Sequence, residues 1–189
     1  QMCIRDSRDG ELVKMSKRTG ETITLDELIE DVGVDAARYF FLMRSLDSQL
    51  DFDINLASSK SNDNPVYYIQ YAHARIHSIF GQVKEAGIAY GDWANTSFTA
   101  LQSEQEVELI KKLAAYPEEI QLSANNKAPH RIAKYLYDVA SLFHSFYKQG
   151  RIMGVELELQ QARLGLITAT AHVLQHGLGI LGISAPEKM

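Results

Sequence analysis

Two stretches of this 189-residue chain carry side chains whose types and spacing could do chemistry. The first is KMSKRTGE at 14–21, where Lys14, Lys17 and Arg18 share a short loop with Met15, Ser16, Thr19 and Gly20. Ammonium groups and hydroxyls crowded in this way can surround a polyphosphate. A lysine, as a mobile point charge, suits a phosphate whose charge shifts during reaction. A solvated basic loop fits the same residues. The second is NDNPVYYIQYAHARIHSIFG at 62–81, the stretch on which the remainder is organised. Tyr68, Tyr71 and Arg75 fall at i, i+3 and i+7, on one face of a helix. Such a face can pack a neighbouring helix as a half-buried aromatic seam. It can equally stack an unpaired base beside a positive charge. Residue chemistry alone leaves both readings open at both places.

Other candidates carry less. Asp47, Asp51 and Asp53 lack the spacing of a calcium loop and its closing glutamate, and read as solvated acids. His144 has no HExxH or similar partner and reads as a hydrogen-bonded rim histidine, so no protein-bound metal is expected. Cys3 is the single cysteine, which excludes an internal disulfide or a cysteine-rich metal site and points to a reducing, cytoplasmic setting. No apolar run approaches a membrane span, and no membrane partner is expected. The net charge of −5 excludes a strong basic field, although the C-terminal part, from 127 onward, is mildly basic. The chain opens on Gln1, and QMCIRDSR at 1–8 shows neither strand nor helix periodicity, which reads as a truncated or poorly determined start.

The elements that must position these residues follow from capping and period. Thr24 with Glu27 is a capping box for a short helix that ends at Gly33, with Leu25, Leu28 and Ile29 inward. A second helix is expected over 35–44, burying Ala36, Ala37, Phe40, Phe41 and Met43. Leu50, Phe52 and Ile54 alternate with acids at the period of a strand, and 56–61 is a short join. Pro65 opens the organising helix, which buries Val66, Ile69, Ile76 and Phe80 and stops near Gly87, with Gly81 a candidate bend. A loop over 88–102 is anchored by Trp93 and Phe98. Ser103 and Glu106 start a helix with Val107, Leu109, Ile110 and Leu113 inward, ended by Tyr116-Pro117. A short helix over 118–125 turns Ile120 and Leu122 inward. Pro129 opens a helix to Tyr147 that buries Ile132, Leu136, Val139, Ala140, Phe143 and either Phe146 or Tyr147. The last helix, 159–181, buries Ala162, Leu166, Ala169, Val173 and Leu174, with Gly182 closing it. The sum is a helical bundle from about residue 62, preceded by a small mixed segment.

KMSKRTGE at 14–21 resembles the second signature loop of class I aminoacyl-tRNA synthetases. VGVDAARYFFLMRSLDSQLDFDINLA at 32–57 and NPVYYIQYAHARI at 64–76 resemble the bacterial arginyl-tRNA synthetases more narrowly, as do LFHSFYKQGRI at 142–152 and the stretch 162–189. The resemblance covers 9–189. It implies a mainly α fold, with the C-terminal end of a nucleotide-binding, Rossmann-like catalytic domain over 1–61 and an all-α anticodon-binding domain over 62–189. It implies an ATP-dependent ligase that forms arginyl-adenylate and passes arginine to tRNA(Arg), with ATP, accompanied by Mg2+, as substrate. Lys14 and Lys17 are implied to be catalytic, with Met15, Ser16 and Arg18 completing the ATP and pyrophosphate loop. Tyr68, Tyr71, Ala72, Arg75 and Met189 are implied to face the anticodon. No HIGH-like motif occurs in the chain, so it is expected to be a C-terminal piece, monomeric and inactive alone in arginine-dependent ATP–pyrophosphate exchange. Gly150 stands in QGRI, where the resemblance implies a cysteine in many relatives. The rival expectations are a free-standing tRNA-binding module and a purely structural bundle; the retained KMSKR loop speaks against the first.

Overall fold

Capping side chains fix where some of the helices begin and proline opens another, and the computed structural model bears out most of the expected starts. It describes residues 4–8, 11–12, 24–45 and 47–189; the lysine loop at 14–21 lies outside them. Helix α1 (Leu25–Val32) follows Thr24, whose Oγ1 accepts from Glu27 N at 3.2 Å. The Glu27 carboxylate in turn accepts from Thr24 N at 2.7 Å, completing the capping box. Gly33, at φ 82, joins it to α2 (Val34–Leu42), a turn that glycine makes without steric cost. Ala36, Ala37 and Phe40 are buried as expected. Tyr39, which the periodicity did not single out, is buried as well, its hydroxyl donating to the Ala133 carbonyl at 3.2 Å.

Strand β3 (Leu50–Asp53) keeps the predicted alternation, with Leu50 and Phe52 buried. Two elements differ from expectation. The join at 56–61 is partly helical: α3 (Ile54–Ser58) is capped by Asp53, whose Oδ1 accepts from Leu56 N at 3.0 Å. Residues 4–8, without periodicity in sequence, form β1 (Ile4–Arg8), the middle strand of a three-stranded sheet. It pairs antiparallel with β2 (Glu11–Leu12) and parallel with β3. A strand hydrogen-bonded on both sides need not alternate apolar and polar residues, so period two does not find it.

The rest is helical. Helix α4 (Pro65–Glu85) starts on Asn64, whose Oδ1 accepts from Val66 N while its Nδ2 donates to the Ala57 and Ser59 carbonyls at 3.0 and 2.8 Å. One asparagine therefore caps α4 and ties it to α3. The helix runs unbroken through Gly81 to Glu85 and is closed by Gly87 just beyond it, where Gly87 N donates to Lys84 O and Ile88 N to Val83 O. Then come α5 (Glu104–Ala114), α6 (Tyr116–Asn125), α7 (Pro129–Gln149) and α8 (Leu157–Ile180). Helix α7 is the hub, packing on α4, α5, α6 and α8. All of its predicted stripe is buried, Phe146 more deeply than Tyr147. The core is continuous from Leu28, Phe40 and Phe52 into the bundle. Gly177 lets α7 and α8 close together, since a Cβ there would lie 2.5 Å from Leu136 Cδ2. Trp93 and Phe98 rest over Gly165 of α8, anchoring the 88–102 loop.

Four inward assignments are corrected. Leu25 (60% exposed), Ile110 (38%) and Leu122 (38%) face solvent, and Ala169 is exposed too. In three of the four cases a polar residue holds the inward position on that helix. On α5 it is Glu106, whose Oε1 meets Arg163 Nε at 2.7 Å while Oε2 accepts from Ser103 N. On α6 it is Ser123, and on α8 it is Thr170, whose hydroxyl donates to the Leu166 carbonyl at 2.8 Å. Apolar periodicity puts such residues outside, and the expected stripe shifts with them.

Candidate nucleic-acid interface

Helices α4 and α7 lie side by side and bring their aromatic faces together. Tyr68, Tyr71 and Arg75 share the expected face of α4, and all three are half-buried. The guanidinium of Arg75 sits 5.1 Å from the ring centre of Tyr71 and 4.6 Å from that of Tyr147 on α7. A cation held between two ring faces is oriented without losing its charge. Tyr71 also stacks on Tyr67, with centres 6.2 Å apart and planes within 6°. His144 lies against both Tyr68 and Tyr71, at 4.5 and 5.9 Å, and Tyr137 flanks Tyr68 at 5.3 Å. The result is an aromatic surface built from two helices with one cation set into it.

Three hollows open on this surface, and Tyr147 lines all of them. One, about 370 Å³, is walled by Tyr68, Tyr71, Arg75, His144 and Lys148. A second, about 800 Å³, lies between Tyr71, Arg75 and the end of the chain, including Lys188 and Met189. A third, about 360 Å³, runs on to Lys148 and Arg151. Arg75, Lys148, Arg151 and Lys188 thus line these hollows, with Glu85 and Glu187 beside them in the second. Burial lowers the His144 pKa; its approach to the Tyr68 carbonyl works the other way and the nearby Arg75 charge adds to the lowering. The imidazole therefore stays neutral near pH 7 and offers a flat ring. Burial raises the Tyr68 phenol, partly relieved by a hydrogen bond with Ser141, so it stays protonated.

Met189 reaches this surface because the tail folds back along α4. Gln70 Nε2 donates to the Ser184 carbonyl at 3.0 Å and to Asp35 Oδ2 at 2.8 Å. His73 Nδ1 donates to the Pro186 carbonyl at 2.9 Å, and His77 Nδ1 lies 3.8 Å from the Glu187 carboxylate. Ala72 is fully buried, so a group arriving from solvent meets Tyr68, Tyr71 and Arg75 and not Ala72. Lys14, Met15, Ser16, Lys17 and Arg18 fall outside the described residues. Sequence reasoning missed Tyr67, Tyr137 and Lys148 and did not connect His144 or Tyr147 with α4. A signal was present: Tyr137, Ser141, His144 and Lys148 recur at helical spacing along α7. Among the described residues no group of three or more His, Cys, Asp or Glu could hold a metal ion, and no helix is long and apolar enough to cross a membrane.

Comparison with known proteins places the chain in a family. The family described as the DALR anticodon binding domain matches residues 69–189. The chain is 55% identical over 186 residues to an arginine–tRNA ligase of Carboxydothermus hydrogenoformans, covering 98% of this chain and 33% of that ligase. Among solved structures, a Campylobacter jejuni protein assigned to the arginyl-tRNA synthetases superposes with a TM-score of 0.85 at 30% identity, over 98% of this chain and 39% of that one. The arginyl-tRNA synthetase of Thermus thermophilus does so with a TM-score of 0.70 at 28% identity, over 92% and 29%. The chain therefore spans about a third of the length of the curated relatives it matches. With the match running from the organising helix to the last residue, and a mainly α fold beneath it, this chain belongs to the DALR anticodon-binding domain family.

Proposed function

We propose that the α4–α7 surface binds the anticodon loop of tRNA(Arg), and that the chain serves an arginine–tRNA ligase. The observation that carries this reading is the Arg75 guanidinium held between Tyr71 and Tyr147 at the mouth of the hollows. Unpaired loop bases are recognised by stacking on aromatic rings and guanidinium planes, with hydrogen bonds to their edges. Tyr68, Tyr71, Arg75 and Met189 are the contact residues in this reading, and Ala72 supports them from behind. The reading extends to the division of labour. Residues 62–189 act as the anticodon-binding unit, and residues 1–61 as the end of a Rossmann-like catalytic domain. Lys14 and Lys17, with Met15, Ser16 and Arg18, supply charge to the phosphates of ATP as arginyl-adenylate forms. Support for that half comes from the KMSKR sequence and from the ligase names of the relatives. ATP with Mg2+, arginine and tRNA(Arg) are then the substrates, and a cytoplasmic monomer is the expected setting.

The test is the affinity of the chain for arginine tRNA in a filter-binding titration. Each of Tyr71→Ala and Arg75→Ala should weaken binding by roughly 1–3 kcal/mol, the range for losing one base-stacking partner. Affinity unchanged in both variants would remove this surface from RNA binding.

A further inference from the structure

We propose that Asp35, Gln70 and His73 are positioning residues of the RNA face: they strap residues 184–189 along α4 and so hold Met189 at the rim of the hollow lined by Tyr71 and Arg75. The proposal rests on the RNA-binding reading of that hollow. Residues 184–189 contain no helix or strand, so side-chain bonds must fix their path. Those bonds run in register. Gln70, His73 and His77 lie at i, i+3 and i+7 on a stripe of α4 beside the aromatic one. They meet Ser184, Pro186 and Glu187 in the same order. Asp35 closes the upper end: its carboxylate accepts from Ser184 N at 3.2 Å, from the Ser184 hydroxyl and from Gln70 Nε2.

The strap works in both directions. Gln70 and His73 are buried, and without the tail carbonyls their donors would lose partners in a place poor in water. The tail is otherwise anchored by Ile183, buried in the core just before it, and by Ala185, which packs against the core. Met189 is half exposed and lines two hollows, one shared with Tyr71 and Arg75, the other with Tyr67 and Asp35. The stacked pair Tyr67–Tyr71 stands between them. A tail released from Asp35 would leave Met189 free of both hollows, while Tyr71 and Arg75 would stay where α4 and α7 hold them.

Methyl-labelled methionine NMR on the full chain, followed by titration with an RNA hairpin carrying an arginine anticodon loop, tests this. In Asp35→Ala the Met189 methyl signal should sharpen and move toward the position of free methionine, with hairpin affinity falling about fivefold. Ser184→Ala, a change at an exposed position, should shift it less in the same direction, and Ser184→Thr, which keeps the hydroxyl, should restore both readouts. A Met189 signal unmoved in Asp35→Ala overturns the strap. A moved signal with unchanged affinity overturns the positioning role. Absence of hairpin binding by the unaltered chain overturns the RNA reading and the positioning role with it, while the methyl signal still decides whether the strap exists.

Discussion

Arg75, the buried His73 and the half-buried His144 define the residue scale. The Arg75 guanidinium is oriented by the ring faces of Tyr71 and Tyr147, which leaves its outer edge available to an incoming anion. His73 and His144 behave oppositely. Burial holds both below the ordinary histidine value of 6.5; the Pro186 carbonyl partly offsets this for His73 and the Tyr68 carbonyl for His144. His73 Nε2 is buried without a hydrogen-bond partner among the described residues, as suits a neutral ring. Between its lowered folded value and 6.5, each histidine binds protons better in the unfolded chain, so stability is full above 6.5 and is lost as pH falls below it. The urea midpoint should therefore drop between about pH 7.5 and about pH 5.5, and the double variant His73→Gln, His144→Gln should flatten that slope. A midpoint independent of pH in the unaltered chain would contradict the burial argument. At this scale the sequence exposed one side of the site. Tyr68, Tyr71 and Arg75 share a helical face and could be grouped by spacing. Tyr147 and His144 could not be assigned to them, because the packing angle of α7 on α4 is written in no local pattern.

Elements were legible where capping and period agree. Thr24 with Glu27, Ser103 with Glu106, Pro65 and Gly182 each mark a boundary that local hydrogen bonding enforces. Legibility failed where a tertiary partner decides. Glu106 is inward because Arg163 waits for it, and β1 exists because β3 lies beside it. The glycines of the long helices separate these cases. Gly177 is required by the α7–α8 contact, whereas a Cβ at Gly81 meets nothing within 4 Å. Gly177→Ala should lower unfolding stability by roughly 1–2 kcal/mol, overpacking against Leu136 outweighing the gain in helix propensity. Gly81→Ala should raise it by up to about 1 kcal/mol. Urea unfolding measures both; equal effects of the same sign would mean that the α7–α8 approach is not close.

At the scale of the whole molecule, one hydrophobic core joins the small sheet and first helices to the bundle, and the terminal tail returns to α2 through Asp35. The end of the chain, the segment after the lysine loop and the aromatic surface are therefore mechanically connected. Bundle class and length were legible from composition and helix period. The return of the tail was not, since it depends on side chains from α2 and α4 meeting a stretch with no period of its own. The central claim is that the α4–α7 surface takes the anticodon loop, and structure probing of bound arginine tRNA tests it most directly. Nucleotides of the anticodon loop should be protected by the chain and should lose that protection with Tyr71→Ala combined with Arg75→Ala. Protection confined to another part of the tRNA, or anticodon protection that survives the double substitution, would contradict it.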